Sequence, residues 1–340
     1  MTRLVQIIPR VVAVPTVDDP LKTLETRRRV RGVGGLTYDQ RKRCKRFLET
    51  GTSKALAPFP TVRDLSNEKR EPLRRLALTG ASVLGPNTVD AVDQLVSELH
   101  ADAPWLREIS TFVMMHLRAN IEAGETGLIL PPILLVGEPG CGKSAYACRV
   151  AELADVPWRR IDVGSGSAGF RISGLEKGWS NAAPGVPVET VVATLTANPV
   201  LVVDEVDKCG MLSGAKVSGT SVTVSLLEML EPATAARFEC PAYRLPFDMS
   251  RLVWIMTANS LESVPDPIRD RSHVFRVPNP GPEDLIAVFD RQTRDLDDRD
   301  LVAAARSTLG ASLSNSTMSL RQLRAYIDAV RGFSSRPRFH

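Results

Sequence analysis

Gly137, Glu138, Pro139, Gly140, Cys141, Gly142, Lys143 and Ser144 run consecutively and match the phosphate-binding pattern G-x-x-x-x-G-K-[S/T] at every fixed position. The glycines let successive backbone N–H groups curl around a polyphosphate, and a helix beginning at the loop's end adds positive potential. Lys143 sets a point charge against the outer phosphates, and the Ser144 hydroxyl is a ligand for Mg²⁺. A second group follows at Val200-Leu-Val-Val-Asp204-Glu205, where four aliphatics end in two acids. Asp204 is placed to hold Mg²⁺, directly or through water, and Glu205 to orient and polarise an attacking water. Asn259 closes a third apolar run, Leu252-Val-Trp-Ile-Met-Thr-Ala-Asn259. It reads either as a capping residue at a strand end or as a polar group aimed at the terminal phosphate and water. Arg269 and Arg271 come soon after, and a guanidinium suits the charge spread over transferring phosphoryl oxygens.

These residues need a scaffold that brings strand ends together. Ile133–Val136, Trp158–Val163, Val200–Val203 and Leu252–Met256 read as buried strands, separated by helical patterns between Pro131 and Pro278. Such alternation implies a parallel sheet covered on both faces, with its ligand crevice at the carboxyl ends of the strands. Upstream, Asn87–Leu99 and Trp105–Asn120 have helical spacing. From Gly281 onward the strands stop, and 282–291, 299–309 and 319–330 read as a small all-helical subdomain. The expected organisation is a separate basic region over 1–85, an α/β nucleotide-binding subdomain over 86–281 and a helical lid over 282–340. One rival motif, Gly164-Ser-Gly166-Ser-Ala-Gly169 with Glu189 twenty residues on, fits G-x-G-x-x-G. A dinucleotide fingerprint needs a helix opening at its third glycine, and Phe170–Gly174 offers no clear one, so the stretch reads as the loop after the second strand.

Composition is ordinary for a soluble globular protein, and no apolar run approaches the ~20 residues that span a bilayer. No membrane partner is expected. The N-terminus lacks a signal-peptide core, and five scattered cysteines fit a reducing, cytoplasmic setting. The net charge of +4 is uneven: residues 1–80 hold 18 Lys/Arg against 8 Asp/Glu, leaving −6 for the remainder. The excess is concentrated in Arg27–Arg31 and Arg41–Arg46. Residues 27–46 are either a solvated arm or a contact for nucleic acid, with few aromatics to stack bases.

In this order the pieces resemble the AAA+ ATPase superfamily, and most specifically the ATPase module of Lon proteases. The likeness runs over about residues 104–333 through Ala183-Pro-Gly185, Asn198-Pro199, Asp204-Glu-Val-Asp-Lys208, Ser225-Leu-Leu-Glu228-Met-Leu-Glu-Pro232, Asp248-Met-Ser250, Met256-Thr-Ala-Asn259 and Val264–Arg271. The fold it implies is α/β, an AAA+ P-loop NTPase with a parallel sheet flanked by helices. It also implies ATP and Mg²⁺ as ligands and a ring homo-oligomer, a hexamer. By the same likeness Arg271 is the arginine finger lent to a neighbouring subunit, with Arg269 where Lon has an apolar residue. Arg321, in Ser319-Leu-Arg321-Gln-Leu-Arg324, resembles the arginine of the Lon sensor-2 helix, which contacts the γ-phosphate in cis. Trp179, in Glu176-Lys-Gly-Trp179-Ser180, falls where Lon has its pore-loop aromatic, which grips a threaded polypeptide. Ser180 stands where the family has an apolar residue; a Trp packed into the core is the alternative, but neighbouring Gly178, Ser180 and Asn181 argue for a loop and favour the pore role.

Departures from the family are as informative. No counterpart of the Lon protease domain follows the helical region, so no peptidase activity is expected of this polypeptide. The first 85 residues do not resemble Lon's substrate-binding domain. Three functions therefore stand: a protein remodeller or unfoldase, a nucleic-acid-associated motor using the basic region, and a non-enzymatic assembly switch. Glu205 and Arg271 count against the last.

Overall fold

In the computed structural model the protein is described over residues 3–8, 37–40, 42–43, 65–164, 168–176, 182–209, 222–314 and 318–334. Five parallel strands form the central sheet: β3 (Ile133–Val136), β4 (Trp158–Asp162), β5 (Val200–Asp204), β8 (Val253–Ala258) and β9 (His273–Arg276), in the order β4-β5-β8-β3-β9. Every residue of β3, β5 and β8 is buried. That is why these strands read as unbroken apolar runs; a strand covered on both faces has no solvent side for polar residues. Alternation survives in where the side chains go. Ile133, Leu135, Val200, Val202, Val253 and Ile255 enter one core, and Leu134, Val136, Leu201, Val203, Trp254 and Met256 the other.

Helices α2 (Val89–Asp102), α3 (Arg107–Glu122) and α4 (Lys143–Leu153) cover the first face. The second face is covered by α1 (Asn67–Thr79), α6 (Val186–Thr194) and α7 (Val222–Leu230), with the short α5 (Ala168–Ser173) packed against α7. A helix of one turn, α8 (Pro232–Ala235), leads into an antiparallel hairpin of β6 (Phe238–Cys240) and β7 (Leu245–Phe247). Another, α9 (Asp266–Arg269), precedes β9. The helical subdomain is α10 (Pro282–Gln292), α11 (Arg299–Leu313) and α12 (Leu320–Ser334), closed around Leu285, Phe289, Leu309, Leu323 and Ile327.

Several elements differ from the sequence reading. The third run is strand to Ala258, two residues further than expected, because Thr257 and Ala258 continue the ladder opposite Leu135 and Val136. The edge strand β9 and the hairpin β6–β7 were not foreseen; each is only three or four residues long. In the basic stretch, residues 38–40 and 42–43 are helical.

The boundary expected at residue 85 does not separate two cores. Strand β1 (Arg3–Val5) pairs antiparallel with β2 (Ala81–Val83), and Ser82 bridges to Thr196. Ile7, Ile8, Leu73 and Leu76 are buried in the same cluster as Val203 and Met256. Gly80 makes this closure possible: its φ is +78°, and a Cβ there would stand 2.1 Å from the Val5 carbonyl oxygen. Arg3 forms a two-pronged ion pair with Glu125, and Gln6 Nε2 donates to Ile8 O and Ala77 O.

Asn198 ties the upstream segment to the sheet. It is fully buried; Oδ1 accepts from Leu84 N at 2.9 Å, and Nδ2 donates to Leu84 O at 2.8 Å and Leu128 O at 2.9 Å. Asn198→Ala strands three backbone groups and is expected to cost ~3 kcal/mol of stability, read as a lower denaturant midpoint. A loss under ~1 kcal/mol would mean that water replaces the amide there.

Candidate active site

The loop between β3 and α4 sits at the centre of the sheet, at the strands' carboxyl ends, where α/β folds place ligands. Gly140 and Gly142 have φ of +90° and +99°, and a Cβ on Gly142 would lie 2.9 Å from Leu320 Cδ1. Only glycine makes both turns beneath the helical subdomain. Cys141 is fully buried and anchors the loop in the core. Glu138 and Pro139 are exposed, and Glu138 Oε2 accepts from Asn279 Nδ2 at 2.6 Å. Lys143 is folded into its own loop, with Nζ donating to Gly137 O at 2.7 Å, Glu138 O at 2.9 Å and Asn259 Oδ1 at 3.3 Å. Asn259 therefore faces the site and does not merely cap a strand.

Asp204 ends β5 nearly out of contact with solvent. Its Oδ1 accepts from Ser144 Oγ at 2.6 Å and from Thr257 Oγ1 at 2.9 Å. Oδ2 is buried, has no well-formed hydrogen bond and is ion-paired with the Arg160 guanidinium. A divalent cation suits this arrangement: the donors are oxygens, they are few, and one carboxylate oxygen lacks a hydrogen-bond donor. Mg²⁺ takes one or two protein oxygens and completes its shell with water and phosphate. Ser144 and Asp204 are the residues that would hold it. Among the described residues no cluster of three or more His, Cys, Asp and Glu offers another metal site.

Glu205 lies one residue beyond the strand, in a left-handed conformation with φ of +61°. Non-glycine residues adopt it at a cost, which is tolerated where it aims a side chain. Its N–H donates to Thr257 Oγ1 at 3.3 Å, and its carboxylate is ion-paired with Lys208. Lys208 Nζ is held above its ordinary pKa by the hydrogen bond to Glu205 first and by that residue's charge second. The acids at the end of β5 thus each have their own cationic partner.

A cavity of about 800 Å³ opens between the loop and the helical subdomain. Lys143, Ser144, Arg160, Arg321 and Arg324 line it, so it presents positive charge to a phosphate chain. Helix α12 begins over the loop, its first turn closed by a reciprocal Ser319–Gln322 cap. The same cavity is apolar along Leu99, Ala103, Trp105, Val288 and Ile327, a slot of the kind a flat base needs. Trp105 packs against both the sheet's core and the helical subdomain, and its Nε1 donates to Cys141 O at 3.0 Å. Around the rim, Asp102 accepts from Arg149 of α4 and Arg291 of α10, at 2.7 and 2.6 Å.

The structure brings Lys143, Ser144, Asp204, Glu205, Asn259 and Arg321 to this region. Arg271 does not line the cavity; its Nε pairs with Glu231 at 3.3 Å and its Nη1 donates to Pro267 O. Trp179 lies outside the described residues, as does most of 27–46. Thr257, Arg160, Arg324 and the Trp105 slot were missed by sequence reading. Arg160 carried a weak signal, as a charged residue in a strand, but its partner lies on another strand. The rejected G-x-G-x-x-G stretch needs a correction: a helix does open there, at Ala168. The better reason to reject it is position, since it follows the edge strand β4 and leaves the central crevice to the β3 loop.

This fold and site are those of a P-loop ATPase domain. Residues 133–278 match the family described as the ATPase family associated with various cellular activities (AAA). The Lon protease of Treponema pallidum (strain Nichols) is 37% identical over 145 residues, covering 43% of this chain and 16% of that protein. The Lon protease of Nitrosococcus oceani is 28% identical over 229 residues, covering 66% of this chain and 28% of that protein. The chain thus spans less than a third of the length of these curated relatives. Among solved structures, a closed-state cryo-EM reconstruction of Hsp104 with ATPyS and FITC casein aligns over 82% of this chain and 50% of that one, with a TM-score of 0.55 and 16% identity.

Proposed function

We propose that this chain couples Mg²⁺-dependent ATP hydrolysis, in a homo-oligomeric ring of six subunits, to the remodelling or unfolding of a protein, without cleaving peptide bonds itself. The observation that carries the ATPase chemistry is the convergence of Lys143, Asn259, Ser144, Thr257 and Asp204 at one strand edge. Lys143 and the loop N–H groups hold the phosphates. Ser144 and Asp204 hold Mg²⁺, which when bound neutralises phosphate oxygens. Glu205 polarises the attacking water, Asn259 helps place it, and Arg321 reads the outer phosphate from the lid. Arg271, turned towards Glu231 and away from its own cavity, serves the neighbouring subunit.

A protein substrate is supported by the likeness to Lon proteases and by Trp179 at the place of the pore-loop aromatic. The test is the ATPase rate with and without an unfolded protein such as casein. Stimulation is expected, and Trp179→Ala is expected to abolish it. No response in either form would reject the remodelling reading. The alternative is a motor engaging DNA or RNA through the basic residues 27–46. It predicts stimulation by nucleic acid that is lost in high salt and on excising residues 9–50. That excision must spare residues 3–8, because Ile7 and Ile8 belong to the core. We place the protein in a reducing, cytoplasmic compartment; Cys141, Cys148, Cys209 and Cys240 are free thiols.

A further inference from the structure

The cation that faces Asp204 is unusual in how it is held. A carboxylate this deeply buried is costly unless a positive charge accompanies it. Here the partner comes from the neighbouring strand: Arg160 of β4, whose register sets it opposite Val202, two positions before Asp204. The Asp204 side chain is 3% exposed, but that of Arg160 is 59% exposed. A guanidinium meant to stay would be packed and bonded on several sides. This one reaches in from an edge strand and from a cavity wall, with solvent along most of its length.

Arg160 and a divalent metal need the same oxygen. Ser144 and Thr257 already donate to Oδ1, which leaves Oδ2, and Oδ2 is the atom that Arg160 takes. Two cations within a few ångströms of one carboxylate repel each other, and a divalent ion repels a guanidinium more strongly than a second arginine would. The cavity offers the displaced group a destination, because Arg160 lines it together with Lys143, Arg321 and Arg324 and would there meet phosphate.

We propose that Arg160 is an exchangeable counter-ion for Asp204: metal and Arg160 compete for the carboxylate, and metal loading transfers the guanidinium to the nucleotide cavity. This makes Arg160 a positioning residue that couples metal occupancy to phosphate binding, and it rests on the reading of Ser144 and Asp204 as the metal site.

Mn²⁺ without nucleotide is the probe, titrated into the 340-residue chain and followed by the electron paramagnetic resonance signal of free Mn²⁺. Arg160→Gln removes the competitor and is expected to tighten Mn²⁺ binding about fivefold, the equivalent of ~1 kcal/mol for one ion pair. Arg160→Lys keeps a charge without the planar fork and is expected to fall between wild type and the Gln variant. If Arg160→Gln does not fold, Arg160→Lys decides alone. Unchanged or weaker Mn²⁺ binding in the folded variants overturns the inference. Asp204→Asn separates the two failures. If it loses Mn²⁺ while the Arg160 variants behave as wild type, the metal site stands and the competition is wrong. If it binds Mn²⁺ as wild type does, the metal site is wrong and the inference falls with it.

Discussion

Arg271→Ala leaves Mg·ATP bound and lowers turnover by about a thousandfold or more, the range that a transferred arginine contributes to phosphoryl transfer. The expectation comes from placement. Lys143, Arg321 and Arg324 line the cavity of their own chain, and Arg271 is paired with Glu231 outside it. An arginine that supplied charge in cis would share the cavity. One that serves in trans must be presented at the surface, and Arg271 is exposed. Nucleotide affinity, measured by titration calorimetry, is expected to change less than about threefold, because the guanidinium acts on charge that develops only in the transition state. Turnover within tenfold of wild type would remove the shared site from the account. So would equal hydrolysis per chain by strictly monomeric protein.

Glu205→Gln is expected to bind ATP as well as wild type and to hydrolyse it 10²–10⁴-fold more slowly, the usual contribution of a positioned general base. The amide keeps the size of the carboxylate and leaves the left-handed backbone undisturbed, but it cannot take the proton of the attacking water. It also loses the charge that pairs with Lys208, so a modest stability change is expected and the two effects need separate measurement. Mixing the two defective proteins gives a sharper outcome. A subunit lacking Arg271 still carries Glu205, and a subunit lacking Glu205 still carries Arg271. Mixed rings therefore recover hydrolysis at interfaces where the intact halves meet. Failure to recover, with assembly shown by light scattering, would count against Arg271 serving across an interface.

That Lys143, Ser144, Asp204, Glu205 and Asn259 would meet at one end of the sheet was legible from sequence because each follows a wholly buried strand. Such strands announce themselves as apolar runs, and the polar residues that end them lie at the crevice by topology. Thr257 was not legible. A threonine within a strand is ordinary β propensity, and only the register of β8 beside β5 turns its hydroxyl to Asp204. Arg160 was hidden for the same reason, since its meaning depends on the neighbouring strand. Residues 3–8 were hidden by their surroundings. A six-residue segment ahead of a basic stretch has too little periodicity to signal that Ile7 and Ile8 are core. Asn198 lies in a stretch that resembles Lon, but its three hydrogen bonds, all to backbone far away in the chain, depend on the fold.

Trp105 has one further consequence. Its ring is shared between the sheet's core and the lid's core, and its indole N–H is tied to the carbonyl of a loop residue that is itself fully buried. Loop, ring and lid are thus linked in series as a single lever, with Trp105 as its fulcrum. A rotation of the helical subdomain cannot be absorbed silently; it strains or relaxes the grip on the phosphates. The same linkage run backwards carries a change in what the loop holds into the orientation of the helical subdomain.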